Sequence, residues 1–125
     1  MTKGMWTSAM AALVLGFAGT AAGDDAARQV TFTKDVLPIL QKNCQDCHRA
    51  SGKNMSGMVA PMSFTTYDEV RPWAKAIARV VSEKAMPPWH ASEAQHGKFR
   101  NERVLSPEEI ATLTSWVQQN APRGN

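Results

Sequence analysis

Apolar residues in this chain recur at helical rather than strand intervals. Ile110, Leu113, Trp116 and Val117 fall on one stripe of a 3.6-residue repeat. Ser106-Pro107-Glu108-Glu109 opens that stripe with a serine cap, a proline at the first helical position and a glutamate at the third, and Asn120-Ala121-Pro122 closes it. Trp73, Ile77, Val80 and Val81, with Lys84 behind them, predict a second amphipathic helix whose apolar face ends in a lysine. Thr66-Tyr67-Asp68-Glu69 reads as a capping box for a short helix just ahead of it, which Pro72 interrupts. Val36, Leu37, Ile39 and Leu40 mark a further helix. With Asp35 as its cap, Pro38 falls in the first turn, where no amide bond is lost, so the pattern predicts a helix over residues 36–43. No alternating run is long enough for a strand and no segment repeats. The expected fold class is all-α, with about three to five helices.

The polar stretches between these helices are of two kinds. Residues 49–62 contain Ser51-Gly52-Lys53-Asn54 and Ser56-Gly57, which is turn and loop chemistry. Met86-Pro87-Pro88-Trp89-His90 is held extended by two successive prolines, and residues 91–105, with His96, Lys98, Arg100 and Arg103 around a single Phe99, read as a surface loop. The start of the chain follows another logic. Lys3, an uncharged and largely apolar run over residues 5–17, and the small residues 18–23 form the three regions of a secretory signal. The run is shorter than the roughly 20 residues a spanning helix needs, so no stable membrane span is expected after cleavage. The expected organisation is a signal peptide at 1–23, a flexible stretch at 24–29 and one domain at 30–122, in a periplasmic or secreted protein.

Charge changes this picture little. The formal net charge is +3 and no run of lysine and arginine concentrates it, which argues against a nucleic-acid partner. The cysteines change it a great deal. The chain has only two, in Cys44-Gln45-Asp46-Cys47-His48. Two thiols at this spacing can each form a thioether with one vinyl group of a haem, and the adjacent imidazole then reaches the iron as an axial ligand. A thioredoxin-like redox pair would need a β-α-β setting and has no use for the histidine. Zinc bound by Cys44, Cys47, His90 and His96 would join ligand pairs more than forty positions apart. One covalent haem c, with its iron held by His48, is the reading that uses every residue of the motif.

The ligand opposite His48 has several candidates: Met55, Met58, Met62, Met86, His90 and His96. Any one methionine is more often a core filler than a ligand. Met86 stands apart, because a proline-held segment directly after a helix presents it with little conformational freedom to lose. Trp73 and Trp89 can donate an indole N–H to a haem propionate or serve as packing, and the residues alone do not choose.

Cys44, Cys47 and His48, followed by Met86-Pro87-Pro88 and framed by an N-terminal and a C-terminal helix, resemble a class I cytochrome c. The resemblance implies a compact helical fold around the haem, histidine and methionine on the iron, and a loop proline, here Pro61, whose carbonyl orients the ligand imidazole. The phrases over residues 32–40, 60–64, 71–77 and 86–89 are similar to bacterial exported cytochrome c domains, some of them joined to a redoxin or a copper monooxygenase-like domain. The likeness covers residues 30–122 and departs over 52–59, where extra loop residues include Met55 and Met58. The function expected is one-electron transfer between redox donor and acceptor proteins rather than catalysis. Two alternatives are an electron-delivery domain or subunit of a larger redox enzyme, and a peroxidase or ligand-binding protein in which Met86 dissociates.

Overall fold

The computed structural model describes residues 28–50 and 59–125; the signal segment and the stretch 51–58, with Met55 and Met58, lie outside them. The described residues form helices and loops without a strand, in keeping with the small all-α fold. A π-helical turn, Phe32–Val36, runs into α1, Leu37–Asn43; α2, Tyr67–Val70, passes through a 3-10 turn, Arg71–Trp73, into α3, Ala74–Ser82; a second 3-10 turn, Glu93–Gln95, precedes α4, Pro107–Gln118.

The first helical run begins earlier than the sequence predicts. Asp35 lies within its first turn and reaches back, its Oδ2 accepting from the Thr31 N–H at 2.8 Å, while Oδ1 pairs with Arg28. Pro38 therefore sits inside a continuous helical run. The wide π turn just before it, closed by Leu37 N–H to Phe32 O, loosens the spacing where the proline ring would meet the preceding turn. Both expected capping boxes are present: Thr66 with Glu69, and Ser106 with Glu109. Pro72 does not break the helical path, because it occupies the first turn of the 3-10 segment, where its missing N–H costs nothing.

One apolar core joins these elements. Val36, Leu40, Val70, Leu113 and Trp116 are fully buried, with Phe32, Ile39, Phe64, Ala74, Ile77, Val81 and Leu105 around them. The buried face of α3 is Ala74, Ile77 and Val81; Trp73, expected on that face, is 41% exposed, because the tighter 3-10 turn rotates it off the stripe. The two ends of the chain close on each other. Phe32 N–H donates to Pro122 O at 2.9 Å, Thr33 N–H to Arg123 O at 3.0 Å, and the Trp116 indole to Pro122 O at 2.9 Å. Asn120 and Ala121 take left-handed conformations, with φ of 66° and 51°, to turn the chain there. Tyr67 Oη secures the turn from α2, donating to Ala121 O at 2.9 Å.

Candidate functional site

Helix α1 delivers the motif. Its last buried apolar residue is Leu40, whose carbonyl accepts from the N–H groups of both Cys44 (2.8 Å) and Gln45 (2.9 Å). The chain then coils once more on itself, with Cys47 N–H at 3.2 Å and His48 N–H at 2.9 Å from Cys44 O. Two cysteines and a histidine thus share a single hydrogen-bonded turn. Both cysteines are half-buried. Burial pushes the Cys44 thiol up to about 11, with nearby Glu109 adding to the shift and Arg103 opposing it. The thiol is held protonated, and both charged neighbours come from distant parts of the sequence, the loop before α4 and its first turn.

The segment 60–64 lies along this turn. Ala60 N–H donates to Cys47 O and Phe64 N–H to His48 O, each at 2.9 Å. Between them, His48 Nδ1 is 3.2 Å from Met62 O. A proton on Nδ1 makes that contact a hydrogen bond and leaves Nε2 with its lone pair free. Burial holds the imidazole below its ordinary pKa, partly offset by the Met62 carbonyl, so the ring is neutral. The Phe64 ring stacks on the imidazole, centroids 4.3 Å apart and planes 10° from parallel.

The carbonyl facing the imidazole is not that of Pro61, to which the resemblance assigns the role, but that of Met62. The backbone groups that bond to the motif come from residues 60, 62 and 64, alternate positions that face one side, and Pro61 is an exposed residue between them. Met62 packs its side chain against the core, which removes it from the candidates for the sixth ligand.

On the other side lies a cavity of about 750 Å³, within the roughly 300–1,000 Å³ of ligand and cofactor sites. Met86, Pro87, Trp89, Val81, Leu105 and Ile110 give it apolar walls, and Lys42, Lys84, Arg103 and Glu109 bring charge to it. Glu109 and Arg103 are the charges that act on Cys44, so the cavity adjoins the motif turn. Arg103 also pairs with Asp46, tying the far loop to the middle of the motif. Among the sixth-ligand candidates, Met86 and His96 belong to the cavity wall; His90 is an exposed residue outside it. The described wall does not include His48, so the cavity by itself does not bring His48 and Met86 together.

The donor set fits a haem. Trp89 Nε1 is the one buried side-chain polar atom among the described residues without a hydrogen-bond partner, and Trp89 lines this cavity. Leaving such a donor unpaired costs about 1–3 kcal/mol, and a propionate oxygen is the acceptor a haem would bring to it. Trp73 has no such orphaned group. Bare-metal binding finds no support: among the described residues no group of three or more histidine, cysteine, aspartate or glutamate side chains could hold an ion, so the Cys44, Cys47, His90, His96 zinc set is not assembled.

Three features escaped sequence reasoning. Gln45 occupies a variable position of the motif, yet it is buried and donates from Nε2 to Phe64 O at 2.8 Å. Phe64 and the Met62 carbonyl lie in the phrase 60–64, whose likeness to exported cytochrome domains was the available signal. The Arg103–Asp46 pair spans 57 positions and left no local trace.

The family model described as Cytochrome c matches residues 38–121, from within α1 to the turn after α4. No curated protein and no solved structure matches the chain.

Proposed function

Because the chain belongs to the cytochrome c family, binds haem and serves electron transfer, we propose that it carries single electrons on one haem c with His48 and Met86 on the iron. Cys44 and Cys47 stand at the spacing that attaches such a haem through two thioethers. The observation that carries the reading is the motif turn itself: two half-buried thiols and an imidazole whose Nδ1 faces Met62 O, leaving Nε2 for the metal. The haem supplies reversible ferric–ferrous chemistry when bound, and the chain's own residues determine how that chemistry is used.

Each residue then has a task. The Met62 carbonyl fixes the imidazole tautomer and raises its basicity, which favours the ferric state. Met86 on the cavity wall offers a neutral thioether, which favours the ferrous state and sets a positive potential. Trp89 N–H would hold a propionate, and the walls made by Val81, Leu105 and Ile110 would keep water from the macrocycle. If His48 and Met86 both held the iron, a small molecule would have to displace one of them to bind. The partners are redox proteins that meet the exposed rim near Met86 and Phe99, which are 42% and 44% exposed. The pathway is an exported one, entered through the signal segment. Among the described residues no helix is long and apolar enough to cross a membrane.

A second reading has one observation in its favour. The exposure of Met86 gives its thioether little packing to hold it, which suits a dissociable ligand and a site that opens to a small molecule. Spectroelectrochemical titration of the holoprotein, paired with carbon monoxide mixing of its reduced form, separates the two. A single reversible one-electron wave with slow, incomplete carbon monoxide binding is the result expected of the carrier. Rapid and complete binding overturns it in favour of the open site.

A further inference from the structure

We propose that Phe64, anchored by Gln45, is a positioning residue that fixes the plane of the His48 imidazole. The proposal rests on His48 being an axial ligand and concerns what holds it.

The torsion that turns an imidazole about its Cβ–Cγ bond is broad, so a ligand histidine needs outside restraint to keep one plane. The Met62 carbonyl provides a hydrogen bond at 3.2 Å, which tolerates rotation about its own axis. The Phe64 ring, 10° from parallel at a centroid distance of 4.3 Å, does not tolerate it: turning the imidazole drives its edge into the ring face. Phe64 is in turn immobilised. Its side chain is 7% exposed, its N–H bonds to His48 O at 2.9 Å, and its carbonyl accepts from Gln45 Nε2 at 2.8 Å. Gln45 is equally buried and hangs from the end of α1 through its N–H to Leu40 O. A closed circuit therefore runs from α1 through Gln45 and Phe64 to the face of His48. Gln45 and Phe64 are buried and His48 is half-buried, and the position between the two cysteines is what lets Gln45 make the link.

An imidazole of fixed plane directs the unpaired spin of ferric haem along one axis, and the haem-methyl proton shifts report that axis. The test is proton NMR of the ferric holoprotein for the wild type, Phe64→Leu, Phe64→Tyr and Gln45→Leu, with haem content and far-ultraviolet circular dichroism measured on each sample. Hyperfine-shifted His48 ring protons in the wild type establish ligation independently of Phe64. Phe64→Leu is expected to reorder and compress the spread of haem-methyl shifts at unchanged haem content, Phe64→Tyr to restore the wild-type order, and Gln45→Leu to move the shifts in the same direction by less. A wild-type methyl pattern in Phe64→Leu, or equal disturbance by leucine and tyrosine, overturns the proposal. Should Phe64→Leu give no holoprotein, Gln45→Leu decides: a wild-type pattern there overturns the circuit. Diamagnetic His48 protons in the wild type refute the ligand assignment itself, a failure distinct from the loss of positioning.

Discussion

The two sides of the motif turn are built on different principles. On the His48 side, α1, residues 44–48 and residues 60–64 are knitted by backbone bonds, with Val36 and Leu40 fully buried and Phe64 and Gln45 at 7% exposure. On the Met86 side, residues 92–100 are all exposed. Trp89 and Phe99 meet edge to face at 5.5 Å over the cavity's rim, and the ties are an exposed Lys84–Glu93 pair and the Arg103–Asp46 pair. One side is held in place by contacts among protein atoms. The other is arranged around a space of about 750 Å³ with an indole N–H turned to no protein acceptor. An electron carrier profits from that division. In the proposed reading, the ligand that stays fixed through both oxidation states is on the well-packed side, while the side proposed to admit the cofactor and meet partners depends on what fills it.

The contrast is sharpest in stability. Leu40→Ala, at 0% exposure on the helix that carries the motif, is expected to lower the unfolding free energy of the holoprotein by about 2–5 kcal/mol. Phe99→Ala, on the exposed loop, is expected to stay within about 0.5 kcal/mol. Chemical denaturation midpoints at constant m compare them, and equal losses would erase the distinction between the two sides.

Acid gives a smaller, graded version of the same comparison. The Thr65 hydroxyl foremost, with the Thr66 N–H and the Ser63 and Thr66 hydroxyls, holds the Glu69 carboxyl down at about 2 against an upward push from desolvation. For Glu109 burial pushes upward, and the Ser106 N–H, Lys42 and Asn43 outweigh it, leaving that carboxyl below its ordinary value. Folded-state values below the unfolded ones mean stabilisation that is present above the unfolded pKa and lost as pH falls through the folded one. Glu69 therefore contributes fully above its ordinary 4.5 and loses its contribution progressively down to about 2. Glu69→Gln is expected to flatten the pH dependence of the thermal midpoint across that window, and an unchanged slope would refute the assignment.

Much of this was legible in the sequence, and the reasons are local. Ser106-Pro107-Glu108-Glu109 and Thr66-Tyr67-Asp68-Glu69 form capping boxes because the partners lie three residues apart, so no tertiary contact is needed to choose them. The chemistry of the motif was equally plain, since Cys44, Cys47 and His48 lie within five consecutive residues. Asp35 misled because a carboxylate can cap from inside a first turn as well as ahead of it, and the π turn that makes room for Pro38 has no composition signal. Trp73 misled because helical spacing cannot foresee a 3-10 turn, of which it is the last residue, that rotates it outward. At the site, Gln45 and Arg103 stayed hidden because their partners, Phe64 O and Asp46, lie 19 and 57 positions away. Met62 in place of Pro61 is a matter of which alternate residues face the motif, which appears only once Ala60 and Phe64 are anchored.

The proposed completion by Met86 of the coordination begun by His48 is read out by the weak far-red absorption band that thioether sulfur gives to ferric haem. The band is expected in the wild-type ferric holoprotein and is expected to disappear in Met86→Ala at unchanged haem content. A wild type without the band, or a Met86→Ala protein that retains it, would show that Met86 is not the iron ligand.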